Sequence, residues 1–252
     1  MPPLAIHMIM AQQVADLLSH PLLDGQRGAL FLGSTTPDIR ILLRCDREQT
    51  HFFKLNDFDE QSGVQGFLRA YPALAQPEIL PPATAAFVCG YMAHLEMDEL
   101  WIGQVYRPCF GHRSPLKGTL RANILDRLLQ YEVDRQYRAD RQAMNQILVS
   151  LANVPQEIDV GFLGHQELHH WWDVTVMAAN MPPDWRRFRY LADRYLKDAG
   201  LDGPEEYAAF LAATPALLAE ALAHVGPAQV QAVLERSVEA GLKAMREYLG
   251  CN

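Results

Sequence analysis

An imidazole and a carboxylate, His94 and Asp98, stand four residues apart within Thr84 to Tyr106, a run whose apolar positions recur at helical spacing. One turn apart, they share a face with Phe87, Tyr91, Trp101 and Val105, and that apolar face is the one a folded chain buries. Desolvating both groups is costly unless something pairs them. A hydrogen bond between them would serve, and so would a divalent cation held by both. Gly90, one turn before His94, leaves room for close approach of another segment.

Other groups of the same chemical type lie on apolar stretches of the N-terminal half. His7 shares a helical face with Met10, Ala11, Val14 and Leu18, after a Pro2-Pro3 pair suited to a helix entry. In Gly28-Ala-Leu-Phe-Leu-Gly33-Ser-Thr-Thr-Pro37-Asp38, the short apolar run closes at Gly33. The residue before Pro37 is expected outside the helical region, which puts Asp38 at a bend. Asp38 there can cap a helix over Ile39 to Leu43 or face a site. His51 precedes Phe52-Phe53, which anchors it against the core. A lone inward histidine is ordinarily a satisfied core residue, so these groups acquire a shared chemistry only if the fold brings them together.

Taken in order, "IHMIMAQQVA", "FLGSTTPDI", "REQTHFF" and "GYMAHLEMDELW" resemble the zinc-dependent phospholipase C family over roughly residues 1 to 135. That family's pattern is a histidine, a small-residue turn with Pro-Asp, a Thr-His or Ser-His, and His-x-x-x-Asp on a long helix. The resemblance implies an all-α, multi-helix bundle of phospholipase C/P1 nuclease-like type with the metal site between helices. It assigns His7, Asp38, His51, His94 and Asp98 as metal ligands, with Asp98 bridging two ions and Asp38 facing the water that attacks phosphorus. Nitrogen and carboxylate donors without thiolate suit zinc, with manganese or iron as substitutes.

The chain departs from that pattern where the family has a later histidine and a His-x-x-x-Glu. Gln104 and the segment Thr119 to Asp126 stand there, without histidine, so one or two ions are expected rather than three. The secreted relatives also use a processed amino terminus as a ligand, whereas no leader is visible ahead of His7. The implied function is a metal-dependent hydrolase acting on a small-molecule or lipid phosphoester, a phosphodiester or phospholipid-like substrate foremost. The alternative is a non-catalytic metal-binding helical protein whose surface binds a partner.

Residues 113 to 140 read as a long amphipathic helix with Leu116, Leu120, Ile124, Leu128 and Tyr131 on one face. Asn123 and Asp126 are expected on its polar flank, Arg121 is available to a substrate phosphate, and His112 precedes the helix. Further helices are expected at 141–152, 163–179, 184–198, 204–223 with a break at Pro215, and 227–249. The pair His165 and His169 has ligand spacing, but Trp171-Trp172 makes that segment core or lid, and Asp184-Trp-Arg186-Arg187-Phe-Arg189 reads as a solvated helix face. No alternating strand pattern persists. A single domain over 1–252 is expected, its metal core in 1–135 and packing helices in 136–252.

Composition bounds the alternatives. A net charge of -8, from 22 Lys+Arg against 30 Asp+Glu, argues against nucleic acid as the main partner. Cys45, Cys89, Cys109 and Cys251 have no paired spacing, so neither a zinc knuckle nor a disulfide framework is expected. No run of 18 apolar residues occurs, and a cytoplasmic protein without a transmembrane segment is the expectation.

Overall fold

A computed structural model describes residues 3–59, 61–155 and 158–251. Among the described residues every regular element is helical and no strand occurs. The helices are α1 (Leu4–Leu18), α2 (Pro21–Gly25), α3 (Arg27–Thr35), α4 (Arg40–Leu43), α5 (Glu48–His51), α6 (Gly63–Ala70) and α7 (Pro82–Trp101). They continue as α8 (Leu120–Arg138), α9 (Arg141–Leu151), α10 (His165–Ala179), α11 (Phe188–Asp198), α12 (Pro204–Val225) and α13 (Pro227–Leu249). Short 3-10 turns cover Thr36–Ile39 and Trp185–Arg187.

Helix α7 is the axis of the fold. Sixteen of its 20 residues are buried, including Phe87, Tyr91 and Trp101, because α1, α3 and α13 all pack on it. It starts with Pro82 in the first turn, where a missing N–H costs nothing. Beyond Trp101 it widens into a π-helical stretch, Ile102–Phe110, that ends with the Gly111 N–H donating to the carbonyl of Tyr106.

Two glycines set how closely α3 approaches α7. A methyl placed on Gly33 would lie 2.0 Å from the carbonyl oxygen of Phe87, and one on Gly90 would lie 2.0 Å from that of Leu30. Backbone therefore meets backbone at this crossing, and Ser34 of α3 comes level with His94 of α7. We expect Gly90→Ala to destabilise the fold by about 2–3 kcal/mol, because the obstacle is main chain and cannot rotate away. A urea midpoint equal to that of the parent protein would show that the crossing tolerates a side chain.

Helix α1 is placed by α8. Asp134, fully buried, accepts a hydrogen bond from the Ile6 N–H at 2.9 Å and a second from Arg138 at 3.1 Å. The first turn of a helix has unpaired N–H groups, and a carboxylate from another helix satisfies one of them here. The next residue along is His7.

Several local expectations are corrected. Thr36, before Pro37, is helical (φ -66°, ψ -28°), since the chain turns through 3-10 geometry instead of extending. Asp38 lies inside that turn and caps nothing on α4, whose N-cap is Ile39. The helix expected from residue 113 starts at Leu120, capped by the Thr119 hydroxyl. Helix α12 runs through Pro215 without a break; it packs on α8, with Phe210 buried before the proline and Ala221 after it. By length and composition α12 is also the one described helix that would suit a membrane crossing, with mean hydropathy 1.5 and 17 % of that window buried. It carries Glu205, Glu206 and Glu220, the last paired with Arg121 of α8.

Candidate metal centre

His7, Asp38, His51, His94 and Asp98 meet in one buried cluster. They reach it from α1, the Thr36–Ile39 turn, the end of α5 and the middle of α7. Two sets of three, His7 with His94 and Asp98, and Asp38 with His51 and His94, each offer donor atoms within 4.8 Å of one another. The nitrogen-to-oxygen separations are 3.2 Å for His51 to Asp98, 3.7 Å for His7 to Asp98, and 3.8 Å for His94 to Asp98 and for His51 to Asp38. Most of these are too long for hydrogen bonds. Two donors about 2.0–2.1 Å from a shared tetrahedral ion would stand about 3.3 Å apart, close to what is seen.

The outer hydrogen bonds decide which way the ring nitrogens face. His94 Nδ1 lies 2.8 Å from the carbonyl oxygen of Ser34, and a carbonyl only accepts, so Nδ1 carries the hydrogen and Nε2 turns a lone pair inward. The Thr50 hydroxyl donates to the Arg47 carbonyl at 3.3 Å and lies 3.0 Å from His51 Nδ1; in the tautomer where Nδ1 donates to it, His51 Nε2 turns a lone pair inward as well. Tyr91 holds this corner by donating to the Thr50 carbonyl at 2.5 Å. The rings of His7 and His94 stack in parallel, 3.8 Å apart. Both nitrogens of His7, Nε2 of His51 and His94, and one carboxylate oxygen each of Asp38 and Asp98 are buried with no hydrogen-bond partner.

Such a set of lone pairs facing lone pairs is unfavourable by itself. One internal cation relieves part of it: Arg47 donates to Asp98 at 3.0 Å and to the Phe53 carbonyl at 3.2 Å, its guanidinium 4.2 Å above the Phe53 ring. Arg47 stands four residues before His51 in the "REQTHFF" motif, and that helical spacing was the available sign that it shares the histidine's destination. Arg47 pairs with only one of the two aspartates, and the unpartnered donors fit a divalent cation.

Burial, and then the neighbouring His94, pull the pKa of His7 down to about 3; burial takes His94 to about 4. His51 is held well below the ordinary imidazole value by burial and by the charge of Arg47. Burial and the adjacent Asp98 raise Asp38. On Asp98 burial pushes upward, but the contact with His51 and the surrounding charges outweigh it, so its pKa is well below the ordinary carboxylate value. Arg47, hydrogen-bonded to Asp98, is the permanent cation among the groups that favour its ionised form.

Neutral buried histidines make the stability of metal-free protein depend on pH. Their folded pKa values lie below the ordinary 6.5, so between pH 6.5 and about 4 the unfolded chain takes up protons that the folded chain refuses. Stability is fully present above pH 6.5 and falls as the pH drops, by about 1.4 kcal/mol per pH unit for each histidine. Asp38 acts in the opposite sense as it takes up a proton, but it is one group against three. Chelated protein should therefore show a clearly lower urea midpoint at pH 5 than at pH 7. Equal midpoints would contradict the neutral cluster.

The remaining site expectations divide. His165 and His169 are exposed, the latter 3.7 Å from Asp173, and neither approaches the cluster. His112 is exposed, beside Gly118. Asp126 is not a solvated flank: it is buried, accepting from the Trp101 indole at 3.1 Å and from Gln130 at 2.7 Å. Asn123 accepts from the Tyr106 hydroxyl, and Arg121 is committed to Glu220 on the surface, away from any phosphate site at the cluster. Arg186 does lie on a solvated face, paired with Asp184. Arg187 does not, because it turns toward a cavity beside Asp38.

That cavity, of about 660 Å³, has Asp38 as its only contact with the five cluster residues. This cavity reaches the centre at Asp38. No family model matches the chain, and none of the curated proteins or solved structures matches it either.

Proposed function

We propose that the chain is a metal-dependent phosphoesterase of phospholipase C-like type, in which His7, Asp38, His51, His94 and Asp98 hold one or two divalent cations. The supporting observation is the convergence of unpartnered buried donors on one point, with a single carboxylate of the set bordering a cavity. Imidazole and carboxylate donors without thiolate suit zinc, and manganese or iron can substitute. A divalent cation there supplies neutralisation of charge developing on a phosphoryl oxygen and acidifies water.

The chain's own part falls to Asp38. It is the one member of the five that borders the cavity, so it stands where water and an ester would meet. As water adds to phosphorus its proton passes to the Asp38 carboxylate. The P–O ester bond then breaks with its electron pair on the alcohol oxygen, which takes up the proton held by Asp38 and restores the carboxylate. The Ser34 carbonyl keeps His94 in the tautomer whose Nε2 lone pair faces inward, Thr50 holds the Nδ1 side of His51, and Arg47 donates to Asp98.

Purified protein should hydrolyse an activated aryl phosphoester, mono- or diester, and chelation should abolish the activity while added zinc or manganese restores it. If a panel of such esters shows no turnover with zinc, manganese or iron, the centre is structural and the chain is a metal-binding interaction module.

A further inference from the structure

The cavity beside Asp38 is built from segments far apart in the sequence, and its lining combines two kinds of side chain. Trp171, Val174, Met177 and Leu191 from α10 and α11 make an apolar wall, and Thr35 of α3 anchors it by accepting from the Trp171 indole at 3.2 Å and bonding Thr175 at 3.0 Å. Ile41, Met177 and Tyr190 rim the opening and are 66 %, 55 % and 78 % exposed, three of the few large apolar side chains the described surface leaves in water. Four arginines, Arg40, Arg127, Arg138 and Arg187, and two aspartates, Asp38 and Asp134, face the same space. Arg138 is spent on Asp134. Arg40 Nε and Arg187 Nη1 are buried with no hydrogen-bond partner.

Resting on the phosphoesterase reading, we infer that this cavity is the substrate pocket and that it selects an amphiphilic phosphate monoester: a dianionic phosphate met by Arg40 and Arg187 beside Asp38, and an alkyl or aryl body against the apolar wall. Arg40 and Arg187 decide between ester classes. With Asp38 committed to the ion of the proposed centre, a monoester near neutral pH offers up to two negative charges, one for each of Arg40 and Arg187, whereas a diester offers one. Arginine also suits the group geometrically, since its planar fork pairs two phosphate oxygens at once. The apolar rim argues against a small, fully hydrated phosphate as the preferred ligand.

The test uses metal-loaded full-length protein and a probe that cannot be hydrolysed: decylphosphonate, studied at alkaline pH where it is a dianion, against its monomethyl ester, a monoanion with the same chain. Calorimetry should show one site per chain, with the dianion bound at least about tenfold more tightly than the ester, as two charge-assisted hydrogen bonds allow. Arg187→Gln and Arg40→Gln should each remove most of that preference while leaving metal content and urea midpoint unchanged. Equal affinity for the two probes, or a preference that survives both substitutions, would overturn the pocket. A dianion preference lost in the variants, in a protein that hydrolyses no ester, keeps the pocket and refutes the hydrolase. Chelator-sensitive turnover with unaltered probe binding in the variants does the reverse.

Discussion

Replacing His94 by alanine is expected to strip the tightly held metal from the protein and to abolish the loss of thermal stability that chelation causes in the parent. His94 is the one residue common to both sets of converging donors, and its Nε2 has nothing else to bind. Even residues that only support a ligand are worth about 10–100-fold in metal affinity, so removing the ligand itself should cost more. Binding also stabilises the fold by linkage, about 2.7 kcal/mol when free metal is 100 times its Kd. His94 touches Ser34 as well, so His51→Ala, which leaves that contact intact, serves as the companion variant. Elemental analysis should give one firmly held ion per parent chain and a weaker second one lost first on chelation, because Arg47 already occupies one oxygen of Asp98. Unchanged metal content in both variants would rule out a centre built on these five residues; three firm ions would require donors outside the five.

The second large effect belongs to Asp38→Asn. The amide keeps the shape and one oxygen donor but cannot take a proton from water, so turnover should fall about 10²–10⁴-fold, the usual contribution of a positioned general base. Metal content should fall much less, since His51, His94, His7 and Asp98 remain. The split between the two readouts is the point of the experiment. If turnover and bound metal drop together, Asp38 acts as a ligand alone, and if neither changes, the cavity it borders is not where the chemistry happens. Folding should be little affected, because Asp38 caps no helix.

What could be read from single residues depended on how local the information was. Gly90 spaced one turn from His94 implied a close approach, and the structure places Leu30 of α3 against it. Pro37 misled about Thr36, because the bias against helical geometry before proline is weak enough for a buried 3-10 turn to override it. Pro215 misled in the same way, since packing on α8 compensates one lost hydrogen bond. Asp126 shows the opposite failure. On a helical wheel it belongs to the polar flank, and only the arrival of the Trp101 indole turns it into a buried acceptor.

By itself the sequence determined the helical class and the inward direction of His7, His94 and Asp98, because a period of 3.6 residues and the cost of burying polar groups are local facts. It also marked Asp38 and His51 as candidates. Only the tertiary structure decided that all five share one point, that Arg47 enters it, and that Arg40 joins Arg187, 147 positions further on, around the cavity that Asp38 borders. The reason is physical: a helix fixes which face a side chain takes, whereas the partner it meets there is set by how helices cross, and the α3–α7 crossing depends on two glycines whose spacing says nothing about what lies opposite.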